Sequence, residues 1–513
     1  MADGRETIVI IGAGIIGVST AYFTAKKLAE KYPVADQRPR LILLEQCEPG
    51  CSASGKSGGF LARHWSDGTD TEQLAQFSYD LHAKLAAEHG GADKWGYRAV
   101  DTFCAEIDRI PVMPAKQHKS SNFRTEAESV VTSIEVIAPR SRRSSPAATT
   151  LEYFHSATPP NEDNAHPNST HASIAVPDIE SVKVVEPETV PWLRTNVLTK
   201  LRQVGDTANT AQVDPLKFTR TLLAKAKARG LEIIKAKVIN VTETGYRPPL
   251  IEFAVDNCAS GKLTMDEEFR MVEPTSSSAP PTGRPDNTST AGGGSVDGWG
   301  RPVTTKSYIV MLDQDQDIPA DKIVVACGAW VTSCLRWEAF RDVSASQIPI
   351  QGLRVHYLLA KPKYDLPAQA VFAEINGTVY SGEDAIEIYP RPDGSVFVCG
   401  EALDDPEMPP HNPFEPIYSK RATSRLKQIV NDVSPALSFD IIQYGLACHL
   451  PVHAKGIPVI SKVPKTRGLY IAAGHGCWGI LNGPATGLAV SELLVDGKPL
   501  SLDLSKFRLD RWY

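Results

Sequence analysis

The chain has 513 residues, enough for two or three domain-sized units, and at 42% hydrophobic and 22% charged it has the composition of a globular protein. A formal net charge of −6 gives no support for nucleic acid or an anionic membrane as a partner, and no stretch reaches the roughly 20 apolar residues of a membrane span. Nine cysteines, with no CxxC pair and no metal-ligand spacing, read as reduced thiols, with neither a disulfide framework nor a metal expected.

Ile8-Val9-Ile10-Ile11 reads as a buried parallel strand that runs into Gly12-Ala13-Gly14-Ile15-Ile16-Gly17. Gly12 lets the chain turn sharply, Gly14 lets the backbone approach a pyrophosphate, and Gly17 lets the following helix pack on the strand. The helix N-terminus, at Ile15 and Ile16, would offer N–H groups and partial positive charge to the phosphates. A second strand, Leu41–Leu44, ends at Glu45-Gln46, where a carboxylate is placed for ribose hydroxyls. Glu45 lies beyond the usual spacing of about 20 residues, which the polar stretch 31–40 explains as a longer connection. The pattern predicts a dinucleotide site.

Ser54-Gly55-Lys56-Ser57-Gly58-Gly59 forms a small, glycine-rich loop whose backbone can approach a flat ligand or a phosphate. An amphipathic helix over residues 70–88 follows. Residues 114–188 and 274–302 are low-complexity insertions with only Val130–Ile137 strand-like, and they are candidate surfaces for protein partners. Between them, Asp214 caps a helix that starts at Pro215 and stops at Gly230. A strand over residues 231–241 then brings Val238 to where an adenine would lie. Ile323–Ala326 is a further buried strand, ending under a ligand at Cys327-Gly328-Ala329-Trp330. Alternating stretches over 351–360, 385–389 and 395–399 predict antiparallel strands of a second domain. The last unit is a strand, Leu469–Ala473, a turn, Gly474-His475-Gly476-Cys477-Trp478-Gly479, and a helix to Leu494 with Asn482 at its N-terminus and Pro484 in its first turn.

Three stretches carry a resemblance: Ser54–Gly59, Thr210–Phe218 and Gly474–Gly487. With the glycine loop they resemble the FAD-dependent oxidoreductases of the D-amino-acid oxidase superfamily, and within it a fungal subgroup linked with late-endosome retrograde transport. The resemblance implies FAD with its pyrophosphate over Gly12, Gly14 and Gly17, its ribose on Glu45, and its isoalloxazine between the Ser54–Gly59 loop and Gly474–Gly487. The fold implied is α/β: a discontinuous Rossmann-like FAD domain (1–100, 189–245, 318–345, 446–513) and a mixed, largely antiparallel substrate domain (101–113, 246–273, 303–317, 346–445). The activity implied is oxidation of a C–N bond of a secondary amine or amino-acid derivative by hydride transfer to flavin. The alternative implied is an FAD-containing partner-binding factor in endosomal trafficking. With no signal peptide in the sequence, the expected location is cytoplasmic, at most peripheral to endosomes.

The chain departs from its relatives at two points. Where glycine-oxidase-like relatives read Gly-Leu-Arg-Pro, with an arginine that clamps the substrate carboxylate, this chain reads Gly445-Leu446-Ala447-Cys448. A methyl group cannot replace a bidentate clamp, so a simple amino acid is disfavoured. The lysine with which sarcosine-oxidase-like relatives promote the oxygen reaction has no match in Tyr389–Ser395, and Lys56 is the candidate substitute. Cys448 falls where those relatives attach flavin covalently. His475, His449, His356 and Tyr389 are the remaining candidates for proton handling.

Overall fold

The computed structural model describes residues 4–108, 183–244, 306–314, 316–376, 384–402, 418–437 and 440–512. Its first sheet has six strands in the order Val459–Lys462, Leu469–Ala473, Lys322–Val325, Thr7–Ile11, Arg40–Glu45, Glu232–Lys235, all parallel except the first pair. Every residue of Thr7–Ile11 is buried, because both faces are covered and alternate side chains feed two cores. Ile8, Ile10, Leu41 and Leu43 pack against the helices Ile15–Lys31, Glu72–His89 and Gly479–Val495. Val9, Ile11, Ile42 and Leu44 pack on the other side against a three-stranded antiparallel sheet, Val238–Glu243, Tyr308–Leu312 and Ile318–Ala320.

The second large sheet has eight strands: Asp440–His453, Ile350–Lys361, Val396–Ala402, Asp384–Pro390, Gln369–Asn376, Asp101–Asp108, Leu198–Gly205 and Lys183–Val184. Only Gln369–Asn376 and Asp101–Asp108 pair in parallel, so the sheet is mixed and largely antiparallel as expected. One face packs on the helix Lys420–Val433 through Leu426, Ile429, Val430 and Val433. The opposite face, with Tyr357, Phe372, Tyr389 and Phe397, meets Phe60 and Trp65 from the end of the glycine-rich loop. An isolated bridge between Val452 and His475 ties this sheet to the turn after Leu469–Ala473.

Several expected boundaries move. The strand over 231–241 is two strands in different sheets, Glu232–Lys235 and Val238–Glu243, since Val238 onward pairs with Tyr308–Leu312. Residues 308–312 therefore join the core behind the six-stranded sheet, not the substrate domain. Leu198–Gly205 and residues 446–453, assigned by sequence to the FAD domain, are strands of the eight-stranded sheet. Lys183–Val184, counted with the first insertion, is that sheet's edge strand. Residues 114–182 of that insertion, including Val130–Ile137, and all of 274–302 lie outside the described residues, as do 246–273. Among the described residues no helix is long and apolar enough to cross a membrane.

The last helix starts earlier than Pro484 suggested, at Gly479, after a short 3-10 turn at Gly476–Trp478. Pro484 thus sits inside the helix, where it has no N–H to give to the carbonyl of Ile480. His82, fully buried on the helix Glu72–His89, fills that gap: its Nε2–H donates to the Ile480 carbonyl at 2.9 Å. Ser78 on the same helix accepts the Ala485 N–H at 3.1 Å.

Candidate functional site: two abutting cavities

A cavity of about 430 Å³ runs from the glycine loop to the end of the eight-stranded sheet. Gly12, Gly14, Ile15, Ile16, Glu45, Gln46, Ser54, Ser57, Val238, Cys327, Gly328, Trp330, His449, His475, Gly476 and Gly479 all line it. Gly12 has φ +103°, and a Cβ there would lie 2.6 Å from the Ala326 carbonyl oxygen. At Gly17 a Cβ would lie 1.9 Å from the Gly12 carbonyl oxygen, so Gly17 shapes the loop without lining the cavity. Two side chains already hold the loop. Glu45 Oε2 accepts the Ala13 N–H at 2.7 Å, and Ser54 Oγ accepts the Ile15 N–H at 2.9 Å. Glu45 Oε1 accepts the Cys47 N–H at 3.0 Å. Each oxygen keeps a further lone pair for a ligand hydroxyl.

A second cavity of about 60 Å³ abuts the first, sharing Ser57, Leu450, Cys477 and Ile480 with it. Lys56, Gly58, Gly59, Tyr389 and Cys448 line it, with Tyr357, Glu387, Phe397 and Cys399 from the inner face of the eight-stranded sheet. Gly58 is required where a Cβ would lie 2.3 Å from the Tyr389 ring. Lys56 Nζ donates to the Ala447 carbonyl at 3.4 Å, so a cation stands beside the position where the resembled relatives carry arginine. The Tyr389 hydroxyl donates to Glu387 Oε2 at 2.6 Å.

The electrostatics remove several candidates from proton chemistry near neutral pH. Burial pulls His475 down to about 3, so its ring is neutral; Nε2 shares a 3.0 Å hydrogen bond with Thr486 Oγ1. Burial lifts the Cys448 thiol to about 11 against the opposing pull of Lys56, and the protonated thiol is a poor nucleophile. Burial and then the Glu387 charge push Tyr389 well above its ordinary value. His356 lines neither cavity; its Nε2 accepts the Ser419 N–H at 2.9 Å at the start of the helix Lys420–Val433. Gly55, Gly474, Trp478 and Asn482 also line neither, Trp478 instead packing against Trp65 with ring centroids 6.2 Å apart.

Sequence reasoning missed Glu387, Tyr357, Phe397 and Cys399. Their strands were expected, but no local signal shows which face meets a ligand. It also missed that Cys47 and Cys51 gather with Glu45, their ligand-type atoms within 4.8 Å of one another. Burial raises both thiols, Cys51 to about 12.

A family profile described as "DAO: FAD dependent oxidoreductase" matches residues 7–254 and 295–493. The chain is 26% identical over 511 residues to C1F5.03c of Schizosaccharomyces pombe, which carries an oxidoreductase designation, covering 98% of this chain and 97% of that one. It is 26% identical over 568 residues to TDA3 of Saccharomyces cerevisiae, designated likewise, covering 98% and 94%. The fold matches the crystal structure of glycine oxidase from Geobacillus kaustophilus with a TM-score of 0.59 at 17% identity, covering 98% of both chains.

Proposed function

The chain belongs to the DAO family of FAD dependent oxidoreductases, and from that premise we propose that it oxidises a C–N bond of a secondary amine or amino-acid derivative. In this reading FAD occupies the larger cavity and the amine the smaller one. The observation that carries it is the seam at Ser57, Leu450, Cys477 and Ile480, which line both the large cavity beside the glycine loop and the small one walled by the eight-stranded sheet. The residues present fit the cofactor. The φ of Gly12 and the absence of a Cβ at Gly12 and Gly14 leave a backbone cradle, and the Glu45 oxygens keep lone pairs for ribose. The Geobacillus kaustophilus protein that shares the fold is a glycine oxidase, and glycine bears an amine.

When bound, FAD supplies a two-electron acceptor for the hydride that leaves the carbon next to nitrogen. The chain's own residues supply the positioning. Phe60, Tyr357, Tyr389 and Phe397 give the small cavity an aromatic wall. The Ser54–Gly59 loop fixes the ligand plane from one side and Cys477–Ile480 from the other. A neutral amine already carries the lone pair it needs, so a neutral His475 is consistent with positioning as the protein's main contribution.

The test is a visible spectrum of the purified protein before and after acid precipitation, then anaerobic mixing with a panel of amines. The expected result is a yellow supernatant, because the protonated Cys448 disfavours a thioether, and bleaching by at least one secondary amine. A colourless protein that cannot be reconstituted with FAD would refute the reading.

A further inference from the structure

At the glycine-loop end of the larger cavity two thiols meet a carboxylate. Glu48-Pro49-Gly50-Cys51 is a tight turn: Gly50 has φ +74°, and the Cys51 N–H donates to the Glu48 carbonyl at 3.0 Å. The Gly50 N–H donates to the Ala13 carbonyl at 3.0 Å, which pins the turn to the glycine loop. Cys47 precedes the turn and Cys51 closes it, so the turn folds their side chains together and the two thiols hydrogen-bond each other. The third member, Glu45, ends the strand Arg40–Glu45, and its Oε1 accepts the Cys47 N–H at 3.0 Å, which turns the carboxylate toward the thiols. The three ligand-type atoms lie within 4.8 Å of one another, the one such group among the described residues. Glu45 takes its hydrogen bonds from the backbone N–H groups of Ala13 and Cys47. The ammonium nearest the turn, Lys235 Nζ, is held by Glu48 at 2.7 Å. None of the three side chains is fully buried, so an ion can reach them.

We propose that Glu45, Cys47 and Cys51 form a site for a thiophilic divalent cation of the zinc class, and that this cation keeps FAD from the ribose end of its cavity. Two sulfurs and one carboxylate oxygen suit zinc or cadmium, whereas magnesium and calcium take oxygen ligands alone. Bond lengths to zinc of about 2.3 Å for sulfur and 2.0–2.2 Å for oxygen place tetrahedral ligands roughly 3.6–3.8 Å apart, so each pair has to close by about 1 Å at most. A fourth position is left for water. The cation displaces one proton from each thiol to solvent, and a coordinating thiol gives up its proton even where burial raises it. Competition with FAD follows from the lining. Glu45 and Cys51 both face the larger cavity, and a cation on Glu45 takes up the lone pairs that ribose hydroxyls need. The inference rests on FAD occupying that cavity and is independent of which amine is oxidised.

The experiment adds cadmium chloride, as the spectroscopic probe, to the reduced, FAD-loaded protein. It reads the ultraviolet thiolate-to-cadmium absorbance and the FAD that passes an ultrafilter, and neither readout requires turnover. The expected result is a tightest step of one cadmium ion per chain, with FAD released in parallel, and no absorbance or release with magnesium chloride at the same concentration. Cys47 lines neither cavity, so Cys47→Ser should keep its FAD while cadmium affinity falls at least about tenfold and release shifts to correspondingly higher cadmium. Absence of the absorbance, FAD retained with cadmium bound, equal release by magnesium, or absorbance and release unaltered in Cys47→Ser would each overturn the proposal. The first three are read in the unaltered protein and stand even if the variant fails to fold. Protein that cannot be loaded with FAD defeats the cofactor reading instead, and the cadmium absorbance then still decides whether the cation site exists.

Discussion

At the scale of single residues, the glycine loop and the acid of the small cavity make an instructive contrast. Gly12 is legible because its demands are local: a positive φ and a backbone approach, both written into a six-residue motif. Gly12→Ala should store about 1–3 kcal/mol of backbone strain on top of a contact 2.6 Å from the Ala326 carbonyl. Flavin absorbance per protein should fall while far-UV dichroism stays native; full flavin occupancy in the variant would show that the cradle is not where FAD sits. Glu387 is illegible for the opposite reason. In Ala385-Ile386-Glu387-Ile388-Tyr389 it occupies the place of an ordinary solvent-facing polar residue, and only the closure of Phe60 and Trp65 over that face makes it interior.

At the scale of elements, the last helix shows how a sequence signal can mislead. Proline usually marks a first turn, yet Pro484 is interior because His82, from another helix, takes over the carbonyl it strands. Burial holds His82 at about 4, below its ordinary 6.5, so between those values the unfolded chain binds a proton that the folded chain refuses. The stability involved is complete above about pH 6.5 and is lost as pH falls toward 4, at about 1.4 kcal/mol per pH unit. Melting temperature should therefore drop on acidification from pH 7 to 5. In His82→Gln the drop should be shallower by the equivalent of about 2 kcal/mol. Equal slopes would mean that His82 is not the group excluding the proton. The break at residues 236–237 was equally hidden, since both strands it separates are short and only their partners distinguish them.

At the scale of the molecule, the two sheets and their parallel or antiparallel character were readable from runs and alternation. The assignment of Leu198–Gly205 and 446–453 was not, because it depends on pairing with strands far along the chain. One long-range pairing bears on the second insertion. The strands Val238–Glu243 and Tyr308–Leu312 lie side by side, with the Thr244 N–H donating to the Ser307 carbonyl at 2.9 Å, so the chain leaves and returns at one point. Deleting 274–302 shortens a connection whose flanking strands are already paired, and closure entropy varies slowly with length. FAD content and amine-driven bleaching should be unchanged, and stability should shift by less than about 1 kcal/mol. Loss of flavin in the deletion would place the segment in the working core.

The strand order of the six-stranded sheet carries a last consequence, for synthesis. Thr7–Ile11 is made about 310 residues before its neighbour Lys322–Val325, and Leu469–Ala473 follows later still. At translation rates of roughly 5–20 residues per second, the opening strand waits on the order of a minute with Ile8, Val9, Ile10 and Ile11 unpaired on one side. Such a topology folds slowly and exposes a hydrophobic edge throughout elongation. The yield of this protein in a cell should therefore track chaperone capacity and growth temperature more closely than its final stability does.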